Sequence, residues 1–184
     1  MQSIKVGELM VPLAEYATVP QEASLNEAVL ALEKAQQHVQ ESREKHRAIL
    51  VLDKNGHVVG KIDQWTVLWA IEPRYKQIGD IRETSRYGFS PEFLRSMVEN
   101  VGLWQKPLEN LCKKAAEINV KEVMQALTAT EFIQEDSSLD QALHQMVMGR
   151  HASLLVKKGD TVVGVLRQSD IFKEICDRMK ACTV

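Results

Sequence analysis

The sequence predicts an α+β protein built from two copies of one strand-helix-strand-strand-helix unit, joined by a helical connector. Three observations predict it: a repeat in register, matched helix starts and matched hairpins. Val6, Glu8, Met10, Ser24, Leu25 and Ala28 recur 114 positions later as Val120, Glu122, Met124, Ser138, Leu139 and Ala142. Further on, Ala48, Leu50, Val58, Val59 and Gly60 recur 104 positions later as Ala152, Leu154, Val162, Val163 and Gly164. The smaller second offset places ten extra residues in copy one, between Ala28 and Ala48. A supersecondary unit repeated in register at both ends marks a duplication.

Each copy explains its own elements. Ser24-Leu25-Asn26-Glu27 and Ser138-Leu139-Asp140-Gln141 are both capping boxes, in which a hydroxyl and a later acid or amide satisfy the orphan amides of a helix start. Behind them Leu25, Ala28, Val29, Leu32 and Ala35, and in copy two Leu139, Ala142, Leu143, Met146 and Val147, fall at helical spacing, so each helix has one buried stripe. The short apolar runs 48–52 and 153–156 read as strands, followed by turns at 53–56 and 157–160 and second strands at 58–62 and 162–166. The Asn55-Gly56 pair is a strong hairpin signal. A last helix is expected near Trp65 in copy one and near Asp170 in copy two.

The insertion, residues 36–45, is almost wholly polar and predicts about three extra helical turns in solvent. Ser90-Pro91-Glu92 is a helix start with Ser as cap and Pro at the first helical position, and Phe93, Leu94, Met97, Val98 and Val101 follow at helical spacing. A second connector helix is expected from Pro107 through Leu108, Leu111 and Ala115. The expected organisation is residues 1–72 as the first unit, with a long helix over about 24–47, then 73–118 as a packed connector and 119–184 as the second unit.

Composition excludes several classes. With 23 Lys plus Arg against 25 Asp plus Glu, the net charge of −2 offers no field for nucleic acid or anionic lipid. No apolar run approaches the roughly 20 residues of a membrane helix, and the first residues carry no signal-peptide pattern. Cys112, Cys176 and Cys182 are odd in number and have no metal-knuckle spacing, which suits a reducing cytoplasm. His38 and His46 lack a carboxylate at zinc-ligand spacing, and no hydrolase, zincin or P-loop motif is present, so neither a metal site nor an enzyme is expected.

The segments Val6-Gly7-Glu8-Leu9-Met10 and Val120-Lys121-Glu122-Val123-Met124, the Ser-Leu helix starts, and Asn55-Gly56-His57-Val58-Val59-Gly60 together resemble the CBS domain, the module named after cystathionine beta-synthase. In copy two, residues 164–171 are similar to that family's exit motif of Gly, two apolar residues, Ser or Thr, two variable residues and Asp. The resemblance covers about residues 4–72 and 119–180. It implies two CBS repeats packed as a pseudo-twofold pair with two clefts between them, a homodimer, and a non-catalytic module that binds AMP, ADP, ATP or S-adenosylmethionine. No cofactor is required; the partners implied are an adenine nucleotide and a regulated protein.

Asp170 holds the position whose carboxylate, in that family, accepts hydrogen bonds from the two ribose hydroxyls; a helix N-cap is the other reading of an Asp there. Copy one has Thr66 at that position, which leaves its cleft without a ribose carboxylate. The Ser/Thr position is Asp63 in copy one, which would repel phosphate, and Arg167 in copy two, which could grip one or stand as a solvated strand-end charge. Gln168 and Ser169 complete the copy-two motif. Arg150 and His151, with His46-Arg47 as their copy-one counterpart, stand before the central strand as a candidate basic rim for phosphate. Thr128 and Thr130 are candidates for ribose or phosphate, and Ala129 or Leu166 for an adenine face. Trp65 and Trp69, four apart on a helix, suit an adenine platform or a dimer surface; Trp69 is assigned to the interface and Trp65 is left open. The long helix and the connector are the elements expected to relay occupancy to a partner. The alternative is a ligand-free structural or oligomerisation module, and a third reading is S-adenosylmethionine binding without use of the basic rim.

Overall fold

The computed structural model describes residues 4–37, 45–72, 74–75, 88–102 and 110–181. In chain order the elements of copy one are α1 (Val6–Leu9), β1 (Val11–Pro12), a 3-10 turn (Leu13–Glu15), β2 (Thr18–Pro20), α2 (Leu25–Gln37), β3 (Ala48–Leu52), β4 (Val58–Asp63) and α3 (Gln64–Ile71). The connector carries α4 (Pro91–Val101) and α5 (Leu111–Glu117). Copy two repeats the order with α6 (Val120–Val123), β5 (Gln125–Ala126), a 3-10 turn (Ala129–Glu131), β6 (Phe132–Gln134), α7 (Leu139–Gly149), β7 (Ser153–Lys158), β8 (Thr161–Arg167) and α8 (Gln168–Ala181).

The predicted mixed fold is therefore observed, with one feature the sequence reading did not contain: the copies exchange their leading strands. One sheet runs β2-β3-β4-β5 and the other β1-β8-β7-β6, so β1 of copy one closes the sheet of copy two and β5 of copy two closes that of copy one. The exchange is reciprocal to single hydrogen bonds. Val6 N–H donates to Ser137 C=O at 3.0 Å while Val120 N–H donates to Ala23 C=O at 2.9 Å. Leu139 N–H donates to Ile4 C=O at 2.9 Å while Leu25 N–H donates to Ile118 C=O at 2.8 Å. All four follow the 114-residue offset of the sequence repeat.

Among the described residues, three apolar clusters hold the pair together. Leu25, Ala28, Ile49, Val51 and Ile62 form the core of copy one, joined by Val120 and Val123 from the exchanged segment. Ala142, Met146, Leu154, Val156, Leu166 and Ile171 form that of copy two, joined by Val6. Val11, Tyr16, Leu50, Leu155 and Val165 fill the seam between the sheets. This explains why the runs at β3 and β7 read as unbroken apolar stretches: alternate residues serve a copy core and the seam, so both strand faces are buried.

Local chemistry places the ends. Ser24 Oγ accepts from Glu27 N–H at 3.2 Å while Glu27 accepts from Ser24 N–H at 2.7 Å, and Ser138 with Gln141 forms the matching box. Gly56 takes φ 81° in the first hairpin and Gly159 φ 62° in the second, the region where only glycine is unstrained. α2 is described to Gln37, and residues 45–47 before β3 are not helical, so the expected helix does not run through 47; residues 38–44, which hold most of the insertion, lie outside the described residues. α4 starts as expected, with Ser90 Oγ accepting from Phe93 N–H and Pro91 at the first helical position, and it ends at Gly102 with φ 65°. The second connector helix begins at Leu111; Pro107 and Leu108 lie outside the described residues. α5 packs on α2 and α3.

Candidate functional site

The copy-two exit motif bends from β8 into α8, which starts at Gln168. Asp170 is thus the third residue of the helix rather than its N-cap. Its carboxylate is gripped by Arg167: Nε donates to Oδ2 at 2.6 Å and Nη2 to Oδ1 at 2.5 Å, a two-pronged, charge-assisted pair. Only 5% of Arg167 is exposed, so this guanidinium is a buried group and not the solvated strand-end charge that one reading allowed.

Copy one supplies the other wall. Nη1 of Arg167 lies 3.5 Å from Nδ1 of His46, and the His46 ring packs on Tyr16 with centroids 4.5 Å apart. Gln36 Nε2 donates to the His46 carbonyl at 2.6 Å, so α2 fixes the residues entering β3. Burial lowers the His46 pKa, the Arg167 cation lowers it further, and the hydrogen bond to the Glu15 backbone works the other way. The imidazole is therefore held neutral, with Nδ1 turned as an acceptor toward the guanidinium. Burial pushes the Tyr16 phenol up to about 12, against the pull of Arg167. Sequence reasoning missed Tyr16 and set His46 only as a counterpart to a copy-two rim. No local sequence signal marks these two residues, since they reach Arg167 only across the contact between the copies.

The copy-one motif is built differently. Asp63, not Thr66, caps α3: Asp63 Oδ1 accepts from the Thr66 N–H and the Thr66 hydroxyl, both at 2.7 Å. Gln125 Nε2 then donates to Thr66 Oγ1 at 2.6 Å. Thr66 is completely buried.

The other candidates separate into two groups. Arg150, His151 and Gln168 line a groove of about 370 Å³ between α7 and α8, whose remaining walls are mainly apolar and include Val147 and Phe172. Arg150 sits at the left-handed C-cap of α7, with φ 51°. The expected rim of Arg150 and His151 is thus set beside the helices, and His46 is the imidazole that meets Arg167. Thr128 precedes the 3-10 turn of Ala129–Glu131, in which Ala129 is exposed; Thr128 pairs with Thr130 and Glu131, and Gln145 Nε2 donates to Thr130 C=O at 2.7 Å. Burial would raise the Glu131 pKa, but the Lys61 ion pair and the Thr128 amide outweigh it and hold the carboxyl low. Leu166 is fully buried against Val6 and its neighbours. Ser169 is half-buried. Trp65 is 78% exposed and Trp69 is half-buried on the next turn. Among the described residues no three His, Cys, Asp or Glu side chains gather as a metal site, and no helix is long and apolar enough to cross a membrane.

Comparison with known proteins agrees with this architecture. Residues 6–73 and 118–177 match the family model of the CBS domain. A CBS domain-containing protein of unknown function from Bacillus anthracis superposes with a TM-score of 0.62 at 20% identity, covering 96% of each chain. CBSX2, a CBS-pair protein of Arabidopsis thaliana, is similar in its complex with AMP: TM-score 0.59, 17% identity, 94% of this chain and 97% of that one. The chain also matches 60% of the longer protein MJ1004, with 95% of its own length, 17% identity and a TM-score of 0.59. None of the curated proteins matches the chain.

Proposed function

Because the chain belongs to the CBS domain family, we propose that it is a non-catalytic sensor that binds an adenine nucleotide in the Asp170 cleft and passes that occupancy to a regulated protein. The observation that carries this reading is the side-by-side placement of Asp170 and Arg167 between the copies. One offers only acceptors, suited to a vicinal diol, and the other a forked donor, suited to phosphate. CBSX2, of the same fold, has been solved with AMP, which supports the ligand class. The Thr66 cleft is proposed not to bind, since its acid is engaged in capping α3. Signalling needs a ligand that favours one conformation over another. α5, lodged on α2 and α3, and α4 beyond it are the proposed relay.

The working unit is proposed to be a homodimer in the cytoplasm. Leu68 on α3 and Phe172 on α8 are related by the repeat and exposed by 53% and 66%, so both copies offer an apolar helix face to a second chain. A ligand-free assembly module is the second reading, favoured by the fact that Arg167 and Asp170 already satisfy each other.

A thermal-shift titration with AMP, ADP, ATP and S-adenosylmethionine tests the proposal, on the wild type and on Asp170→Asn. A ligand at 100 times its Kd adds roughly 2.7 kcal/mol, about 5–10 °C for a chain of this size. The expected result is a shift with at least one nucleotide that is lost in Asp170→Asn. No shift with any of them at millimolar concentration favours the assembly module.

A further inference from the structure

Helix α4 and the α7–α8 groove carry an inference that rests on the homodimer reading and names its contact. We infer that α4 of each chain lies in the α7–α8 groove of a second copy, so that two reciprocal insertions close a twofold dimer. α4 falls outside both stretches matched to the CBS domain, 6–73 and 118–177, so the contact is one that this chain adds to the family's module.

None of the residues of α4 is buried. Phe93, Leu94, Met97, Val98 and Val101 share one helix face, and Phe89 extends it by stacking on Phe93 with centroids 5.1 Å apart. Phe93, Leu94 and Val98 are each roughly half exposed. A helix of 11 residues is marginal alone in water, and the caps at Ser90 and Gly102 serve only its ends, so its apolar face calls for a cover.

The fold itself shows which surface takes a short helix. α5 packs on both α2 and α3, with Ala115 buried. The repeat carries α2 to α7 and α3 to α8, and between these two lies the groove of about 370 Å³, with Val147 and Phe172 exposed by 64% and 66%. α4 and α7 have 11 residues each, so an inserted α4 runs the length of the groove, about 16 Å. The charges agree: the charged residue in the lining is Arg150, and on α4 Glu92 and Glu99 outnumber Arg95. That acid excess is unsuited to an anionic lipid surface. A second copy supplies both a helix and a groove, and the twofold doubles the area covered toward the roughly 1,200–2,000 Å² of a stable interface.

Sedimentation equilibrium of the full chain, of Leu94→Glu and of Val147→Glu tests this. Both positions are exposed, so both variants are expected to keep the wild-type melting temperature. The expected result is a wild-type dimer whose dissociation constant rises at least tenfold in either variant. Trapping gives a second readout, in chains carrying Cys112→Ser, Cys176→Ser and Cys182→Ser. Leu94→Cys chains mixed with Val147→Cys chains are expected to be joined by a bismaleimide as a heterodimer. A dimer that withstands either glutamate overturns the inference and leaves the homodimer reading standing. So does a Leu94→Cys/Val147→Cys chain that the reagent closes on itself, or a mixture that gives no heterodimer. A monomeric wild type overturns the homodimer reading itself.

Discussion

Arg167 and Asp170 are three residues apart in sequence and clasp each other through two hydrogen bonds, where strand β8 turns into helix α8. Removing one partner of a buried pair strands a charge and costs about 3–5 kcal/mol, whereas replacing both by apolar groups of similar size costs far less. Arg167→Ala is expected to lower stability by about that amount in urea denaturation. The double variant Arg167→Met/Asp170→Ala is expected to recover most of it. A double-variant loss equal to the sum of those of Arg167→Met and Asp170→Ala would mean that the pair is not coupled.

His46 makes the same region sensitive to acid. Its pKa is lower in the folded chain than the ordinary 6.5, so the unfolded chain takes up the proton first. Its neutral form contributes no penalty above pH 6.5, and stability is lost as pH falls from 6.5 through the lower folded value. The wild type is expected to lose more stability than His46→Gln between pH 7.5 and 5.5, measured by urea unfolding. Parallel losses in the two proteins would contradict this.

The exchange of leading strands makes Val6 part of the wrong copy's core, as judged by sequence position. Val6 is completely buried among Leu154, Val156 and Leu166. Val6→Ala removes two buried methyl groups and is expected to cost roughly 2 kcal/mol. In hydrogen exchange the loss of amide protection is expected in β7 and β8, some 150 residues away, before β3 and β4. Loss confined to copy one would refute the exchange.

Gly60 and Gly164 are repeat equivalents, and both sit where an exchanged strand passes. A Cβ on Gly164 would lie 2.6 Å from the Val11 carbonyl oxygen, a backbone atom that cannot swing away. A Cβ on Gly60 would meet the Met124 sulfur at 2.6 Å but the Gln125 carbonyl oxygen only at 3.1 Å. Gly164→Ala is expected to destabilise by about 1–3 kcal/mol and Gly60→Ala by less, since the methionine side chain can yield. Melting temperatures of the two variants check the order.

The repeat, its helix starts and its hairpins were legible because each is a local signal: a capping box, a glycine turn, an apolar period. The exchange of β1 and β5 was not, because two-residue strands carry no period and β1 pairs with residues more than 150 positions away. The approach of Tyr16 and His46 to the copy-two motif was not legible either, because it is a contact between residues more than 120 positions apart, while Arg150 and His151, the candidate basic rim, line the α7–α8 groove. Strand alternation turns Leu166 into the core while its neighbour Arg167 turns toward His46.

The number of AMP molecules bound per chain, with its dependence on Asp170, tests the central claim most directly. Calorimetry is expected to give one AMP per chain in the wild type and none in Asp170→Asn, with Thr66→Ala leaving the count at one. Two AMP molecules per chain, or one that survives Asp170→Asn, would contradict the account.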